Sequence, residues 1–310
     1  WRRAFSMRPF CEVTPVRPVT DAPSSETGQG VRCLILSSLA FSLMTVCVKQ
    51  LNGRLPVPEI VLSRALISVG LTGLGLHRAR VSPWGQHTGW LLARGICGSL
   101  ALLCFFEAIT TLPLASATVL QYTYPTFTAV AAAIVLREQL RRSIAVAILL
   151  GWIGITLVAQ PDWLNAGLEK LPTTAVLIAL GGAFFTALAY VCVRHLSSRE
   201  HPLVIILYFP VLSIPLTLPM VIRNGVLPMG GEWLWLLGIG VFTQLGQIWV
   251  TRGLSLMPAA QATSINYIQV VFAALWGYLW FAEGLSFWIV IGGFLVLAST
   301  LASLQGRLQS

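Results

Sequence analysis

Charge is scarce in this chain. Only 10% of its 310 residues are Asp, Glu, Lys or Arg, and only 11 are acidic. A soluble domain of this length carries about 25% charged residues, so a surface wetted on all sides is excluded. Strand-like alternation over ten-residue stretches is also missing, which excludes a transmembrane barrel of strands. The six cysteines (Cys11, Cys33, Cys47, Cys97, Cys104 and Cys192) form no CxxC pair, and five of them lie in apolar blocks. They read as small hydrophobes rather than a disulfide framework. No GxxxxGK[ST] segment is present to cradle a nucleotide. The four histidines (His77, His87, His195 and His201) fall at helix ends or in loops. An intramembrane serine protease needs Ser and His within the bundle, and metal chemistry needs clustered His, Asp or Glu. Neither pattern occurs, so neither an enzyme nor a cofactor is expected.

What the chain does have is apolar length. Hydrophobic residues make up 56% of it and the mean hydropathy is +0.78. In lipid every backbone group must be satisfied within its own segment, so such blocks fold as helices. Windows of about 20 apolar residues place ten spans at 31–51, 56–76, 88–109, 112–136, 143–160, 172–195, 202–223, 232–254, 258–282 and 285–304. The predicted fold class is all-α: a polytopic membrane protein with ten transmembrane helices. Residues 1–30 are polar and rich in Pro, Ser, Thr and Arg, and read as a disordered cytoplasmic tail. Trp84, Trp90, Trp163, Trp233, Trp235, Trp280 and Trp288 cluster near helix ends, as an interfacial aromatic belt does.

The formal net charge is +9. Scattered through short loops, the Lys and Arg residues form no basic face, so a nucleic acid partner is not expected. The positive-inside rule explains them better. With the N-terminus cytoplasmic, the outer loops hold only Lys49, Arg54, Lys170 and Arg223, Arg64 and Arg94 fall inside helices, and every other Lys or Arg is cytoplasmic. Both termini are therefore expected inside, in a cell membrane (plasma or bacterial inner).

The chain also matches itself. "VCVKQL" at 46–51 lands on "VCVRHL" at 191–196, a shift of 145 residues. The same shift aligns Pro113 with Pro258, Tyr122 with Tyr267, Phe127 with Phe272 and Glu138 with Glu283. Each copy carries five helices. An odd number makes the second copy enter from the opposite side, which gives two inverted five-helix repeats, 31–165 and 176–305. Inverted repeats are a signature of secondary transporters, with the substrate site near the midplane between the halves.

The segments "TTLPLASATVLQYTYPTFTAVAAAIVLREQL" (110–140) and "LSLMPAAQATSINYIQVVFAALWGYLWFAEGL" (254–285) resemble the two copies of the EamA domain of the drug/metabolite transporter superfamily. "RGICGSLALLCFFEAI" (94–109) resembles the third helix of that family. One departure is Pro125, whose counterpart is Val270. The resemblance implies ten helices, cytoplasmic termini and transport of small organic solutes, often outward.

Several residues are candidates for the site. Gln121 and Tyr124 in the fourth helix, with Asn266, Tyr267 and Gln269 in the ninth, place polar groups near mid-depth. There they either line a wet cavity or bond helices together. Gln244 and Gln247 share a face of the eighth helix and face the same two readings. Arg64, roughly 12 Å into the second helix on a 1.5 Å rise, and Arg94 in the third are charges that a membrane tolerates only when paired, hydrated or functional. In the second copy they align with Phe209 and Ile239. Glu59 and Glu107 are candidate coupling residues, although both sit toward outer helix ends. Pro210, Pro215 and Pro219 make the seventh helix either a hinge or a static bend.

The expected function is secondary transport, without ATP, of zwitterionic or anionic metabolites by export or exchange. The expected partners are a small-molecule substrate and membrane lipid, and a homodimer stays open. The alternative is a channel, receptor or scaffold. A channel commonly carries a filter loop or a ring of charge, and neither is visible.

Overall fold

The structure is a computed structural model that describes residues 24–51, 54–111, 120–138, 142–159, 172–281 and 287–305. Its helices are α1 (Ser24–Gln50), α2 (Val57–Ala79), α3 (Thr88–Thr111), α4 (Tyr124–Val135), α5 (Arg142–Ala159), α6 (Thr173–Leu196), α7 (Pro202–Asn224), α8 (Glu232–Leu256), α9 (Ala259–Ile265), α10 (Ile268–Phe281) and α11 (Phe287–Gln305). No strand occurs among the described residues. Among the described residues six helices, namely α1, α2, α3, α6, α7 and α8, are long and apolar enough to cross a membrane, and α4, α5 and part of α11 are shorter apolar helices. With the segmented ninth span the total is about ten, a polytopic all-α membrane protein.

Two boundaries differ from the sequence expectation. α1 begins at Ser24, inside the stretch expected to be a tail, and residues 1–23 lie outside the described part. The ninth span is not one helix. It tightens at Asn266 and Tyr267, where backbone N–H groups bond three residues back (Asn266 to Thr263, Tyr267 to Ser264, Gln269 to Asn266). The fourth span tightens at the equivalent place, with Thr123 donating to Leu120 and Thr126 to Thr123. Such i→i−3 bonding is 3₁₀ in character and often marks a functional hinge. Pro125 lies in the first turn of α4, yet the second copy makes the same break without a proline. The break therefore belongs to the fold and not to that residue. α7, by contrast, runs unbroken through its three prolines.

Packing follows the repeat. α1 lies on α8 and α3 lies on α6; α2 crosses α7 and α5 crosses α11. Exchanging the halves turns the first contact into the second and leaves the last two unchanged. α1 and α8 are antiparallel. Gly30 meets Met257 at one end, the Ser37 hydroxyl donates to Gly246 O mid-way at 2.9 Å, and Cys47 meets Gly238 at the other end. α8 is the third helix of its half, so the second half lies inverted relative to the first.

Side-chain polarity is inverted relative to a soluble bundle. Leu66, Ile134, Leu149, Ile222, Leu234 and Phe294 are exposed, whereas Ser37, Ser42, Ser68, Thr72, Thr128, Ser213 and Thr217 are buried. Where lipid surrounds the helices, association rests on close packing, small residues and interhelical hydrogen bonds. Ser68 donates to Gln244 across α2 and α8, and Ser99 pairs with Ser213 across α3 and α7 at 3.1 Å. These two ties occupy equivalent places in the two halves. Glycine supplies the close approach elsewhere. A Cβ at Gly151 on α5 would overlap the Tyr267 ring, and one at Gly154 would lie 2.8 Å from Gly292 O on α11. Overpacking of this kind costs about 1–3 kcal/mol. Gly151→Leu is accordingly expected to lower the melting temperature in detergent, and an unchanged value would show that α5 is free to shift.

Each membrane face carries its own ties between halves. On the face holding the N-terminal end of α1, Arg137 adopts a left-handed conformation (φ 54) after α4, and Glu138 N bonds back to Ala132 O. This Schellman-like stop aims the Glu138 carboxylate into the second half. Glu138 Oε1 accepts from Arg194 Nε at 3.1 Å and its Oε2 accepts from Ala259 N at 2.9 Å. Arg194 in turn donates to the last carbonyls of α8, Leu254 O at 2.9 Å and Ser255 O at 3.0 Å. Acid at a helix start and base at a helix end are both favoured by the backbone dipole. Glu200 holds the same face by accepting from Gln86 N and His87 N in the α2–α3 connection. On the other face Arg54 pairs with Glu232, and Glu59 accepts from Val226 N at 2.9 Å.

Candidate functional site

The centre of the bundle lies where α2 and α7 cross, flanked by α3 and α8. Phe209 of α7 sits at that crossing. Two guanidiniums lie over its one ring: Arg64 of α2 at 5.1 Å from the centroid and Arg94 of α3 at 4.9 Å. Cation–π contact of this kind is worth on the order of 0.5–2 kcal/mol, well below the cost of burying a charge. Arg94 is only 4% exposed. Its Nη2 donates to Gln247 Oε1 at 3.2 Å and its Nε has no partner. Arg64 is partly exposed. Neither arginine has an acidic partner among the described residues. The backbone makes room for this arrangement, since a Cβ at Gly98 would collide with Arg94 Nη1 and lie 2.9 Å from the Phe209 ring.

A second polar group surrounds the paired breaks. Tyr267, Tyr122, Tyr124 and Tyr190 form a chain of ring contacts with centroids 6.3, 5.9 and 5.5 Å apart in that order. The Asn266 amide neighbours the Tyr124 hydroxyl. Gln121 Nε2 donates to Thr186 Oγ1 at 3.0 Å, while Thr186 gives its own proton to Gly182 O at 2.8 Å. The Thr186 hydroxyl has one proton, so it must accept from Gln121. That fixes the amide and leaves Gln121 Oε1 as its remaining acceptor. Gln121 Oε1 and Asn266 Oδ1 are both buried without a partner.

The predicted residues therefore divide. Arg64, Arg94 and Gln247 come together around Phe209. Gln121, Tyr124 and Asn266 come together around the breaks. Gln244 sits at 5% exposure with both ends of its amide engaged by α2, Oε1 by Ser68 and Nε2 by Thr72 at 2.8 Å. It joins α8 to α2, as Ser99 joins α3 to α7. Tyr267 is fully buried against Gly151 with its hydroxyl unpartnered. Gln269 is half-buried. Glu59 is 7% exposed and its carboxylate fastens the α7–α8 connection. Glu107 lies exposed near the end of α3. Neither acid lies beside the arginines. The sequence reading missed Phe209 as the ring that both charges contact, and it missed the Glu138–Arg194 clamp. One signal for Phe209 was available: it is the residue that the repeat aligns with Arg64.

Residues 28–160 and 173–305 each match the EamA-like transporter family. The chain belongs to that family. Among similar EamA-related proteins is the pseudopaline exporter CntI of Pseudomonas aeruginosa, 33% identical over 274 residues that cover 88% of this chain and 95% of that protein. Human solute carrier family 35 member G1 is 28% identical, covering 95% of this chain and 83% of its own. A riboflavin transporter of Vibrio cholerae is 26% identical, covering 82% and 85%. A solved crystal structure shares the fold, with a TM-score of 0.75 at 22% identity over 93% of this chain and 100% of that one. This EamA-like chain is thus a multi-pass membrane transporter of small molecules, and its relatives are transporters rather than enzymes.

Proposed function

We propose that the chain is a secondary transporter of zwitterionic or anionic organic solutes that works by alternating access, in export or exchange. The observation that carries this reading is the pair of guanidiniums over Phe209 with no acidic partner among the described residues. A charge held in a membrane interior marks a substrate or ion path by default, and guanidinium matches carboxylate and phosphate geometry. The exporter among its relatives supports the outward direction. Equivalent halves that touch across a common axis support alternating access over a channel or scaffold, because such halves can exchange inward-open and outward-open forms. The arginine distribution supports cytoplasmic termini in a cell membrane.

The test is transport in proteoliposomes against a panel of carboxylates, phosphates and amines. Carboxylates or phosphates are expected to move, and Arg64→Ala is expected to reduce that movement at least tenfold at equal membrane abundance. Uptake of neutral and cationic amines without any carboxylate or phosphate would overturn the proposal. An unchanged rate in Arg64→Ala would assign Arg64 to structure.

A further inference from the structure

The two polar groups of the centre call for different chemistry. At the crossing of α2 and α7 stand two positive charges, Arg64 and Arg94, at 5.1 and 4.9 Å from the centroid of one ring. One monoanion would leave one of them uncompensated in a water-poor interior. At the breaks of the fourth and ninth spans stand two acceptors, Gln121 Oε1 and Asn266 Oδ1, both buried and unpartnered. Two acceptors need two protons. A hydroxyl supplies one, whereas an amine or ammonium supplies two or more. Tyr124 adjoins Asn266 and continues into Tyr122 on one side and Tyr190 on the other, and aromatic rings of this kind favour a cationic nitrogen.

α3 sets the spacing between the groups. The Arg94 head lies against Gly98, and Gln121 Oε1 lies 3.4 Å from the place of a Cβ on Gly182, itself packed on Ala101 and Cys104. Those levels differ by three to six residues, roughly 5–9 Å along a helix axis.

We infer that the solute carries two carboxylates and a nitrogen donor, in the manner of an acidic amino acid or its N-substituted relatives, with the carboxylates at Arg64 and Arg94 and the nitrogen between Gln121 and Asn266. This rests on the proposed transport of anionic solutes and names their class. Gln247 completes the anion end by holding Arg94 in place. The tyrosine chain forms the wall at the nitrogen end.

The experiment uses the purified full chain and three probes that differ by one group. Glutamate has both carboxylates and the nitrogen, glutarate lacks the nitrogen, and glutamine keeps the nitrogen but has one carboxylate. The readout is the ligand concentration that half-saturates thermal stabilisation. Glutamate is expected to act at about tenfold lower concentration than either analogue, the worth of one charge-assisted hydrogen bond. Gln121→Leu is expected to bring glutamate to the level of glutarate, and Arg64→Gln to bring it to the level of glutamine. Glutarate matching glutamate would remove the nitrogen subsite, and glutamine matching glutamate would remove the second anion subsite; either result overturns the inference. If none of the three stabilises the protein while other carboxylates are transported, this inference fails and the transport proposal stands. If no anion is transported at all, both fail.

Discussion

Arg94→Gln is expected to lower anion transport by about 100-fold while leaving the chain at least as thermostable as the parent. The two effects have opposite signs for one reason. Arg94 is almost fully buried with an unpartnered Nε and no acidic partner among the described residues. Its compensation is one neutral hydrogen bond to Gln247 and the face of Phe209. A charge so held carries a desolvation penalty that these contacts offset only in part, so removing it relieves the resting protein. Toward an anionic solute the balance reverses. A hydrogen bond to a charged group contributes about 1.5–3 kcal/mol, and at 1.36 kcal/mol per tenfold the upper half of that range gives the expected loss. Glutamine keeps most of the volume and an amide that still reaches toward Gln247. Uptake into proteoliposomes and a melting curve on the same preparation check the claim. A melting temperature several degrees below the parent would make Arg94 a structural residue.

The sequence made the repeat visible, and the repeat predicts more of the centre than residue types do. In two halves related by a pseudo-twofold axis, a residue near the axis meets its own counterpart. Arg64 and Phe209 are such counterparts, and they touch because α2 and α7 cross on the axis. The same logic separates glue from site. Ser68 with Gln244 and Ser213 with Ser99 are matched ties in the two halves, so Gln244 belongs to the frame. Gln121 and Asn266 are also counterparts, yet both keep a free buried acceptor.

Other features were not legible. A proline argument predicts loosening at Pro125 alone, but the second copy breaks its helix at Asn266 and Tyr267 with no proline. That break carries no proline signal, and helical periodicity does not encode it. Glu59 reads as a coupling candidate from its chemistry, and only the chain reversal after α7 shows its carboxylate meeting Val226 N. Arg194 is one more cytoplasmic-side arginine by composition, and only the fold brings Glu138 to it.

That clamp leads to the other large effect. Glu138 comes from the first half, whereas Arg194, the end of α8 and the start of α9 come from the second. Arg194 and Glu138 are only 11% and 17% exposed. Removing one partner of a fully buried pair costs about 3–5 kcal/mol; for this part-buried pair the lower end, about 3 kcal/mol, at about 2–4 °C per kcal/mol for a large domain puts Glu138→Ala roughly 6–12 °C below the parent. Arg194→Ala and the double variant complete a cycle whose coupling should exceed about 1 kcal/mol, since the two side chains share one network. The clamp also bears on transport. Opening this face separates the halves and must break the pair, so the milder Glu138→Gln raises the population open on this side. Two native thiols report it. Cys33 is buried on α1 near Arg252 toward the clamped face, and Cys47 is buried against Gly238 toward the opposite one. Losing about 1.4 kcal/mol of closure is worth tenfold in population. Glu138→Gln should therefore speed labelling of Cys33 by a membrane-impermeant maleimide about tenfold while leaving Cys47 unchanged or slower. Equal acceleration at both thiols would mean that the clamp holds the bundle together without gating either face.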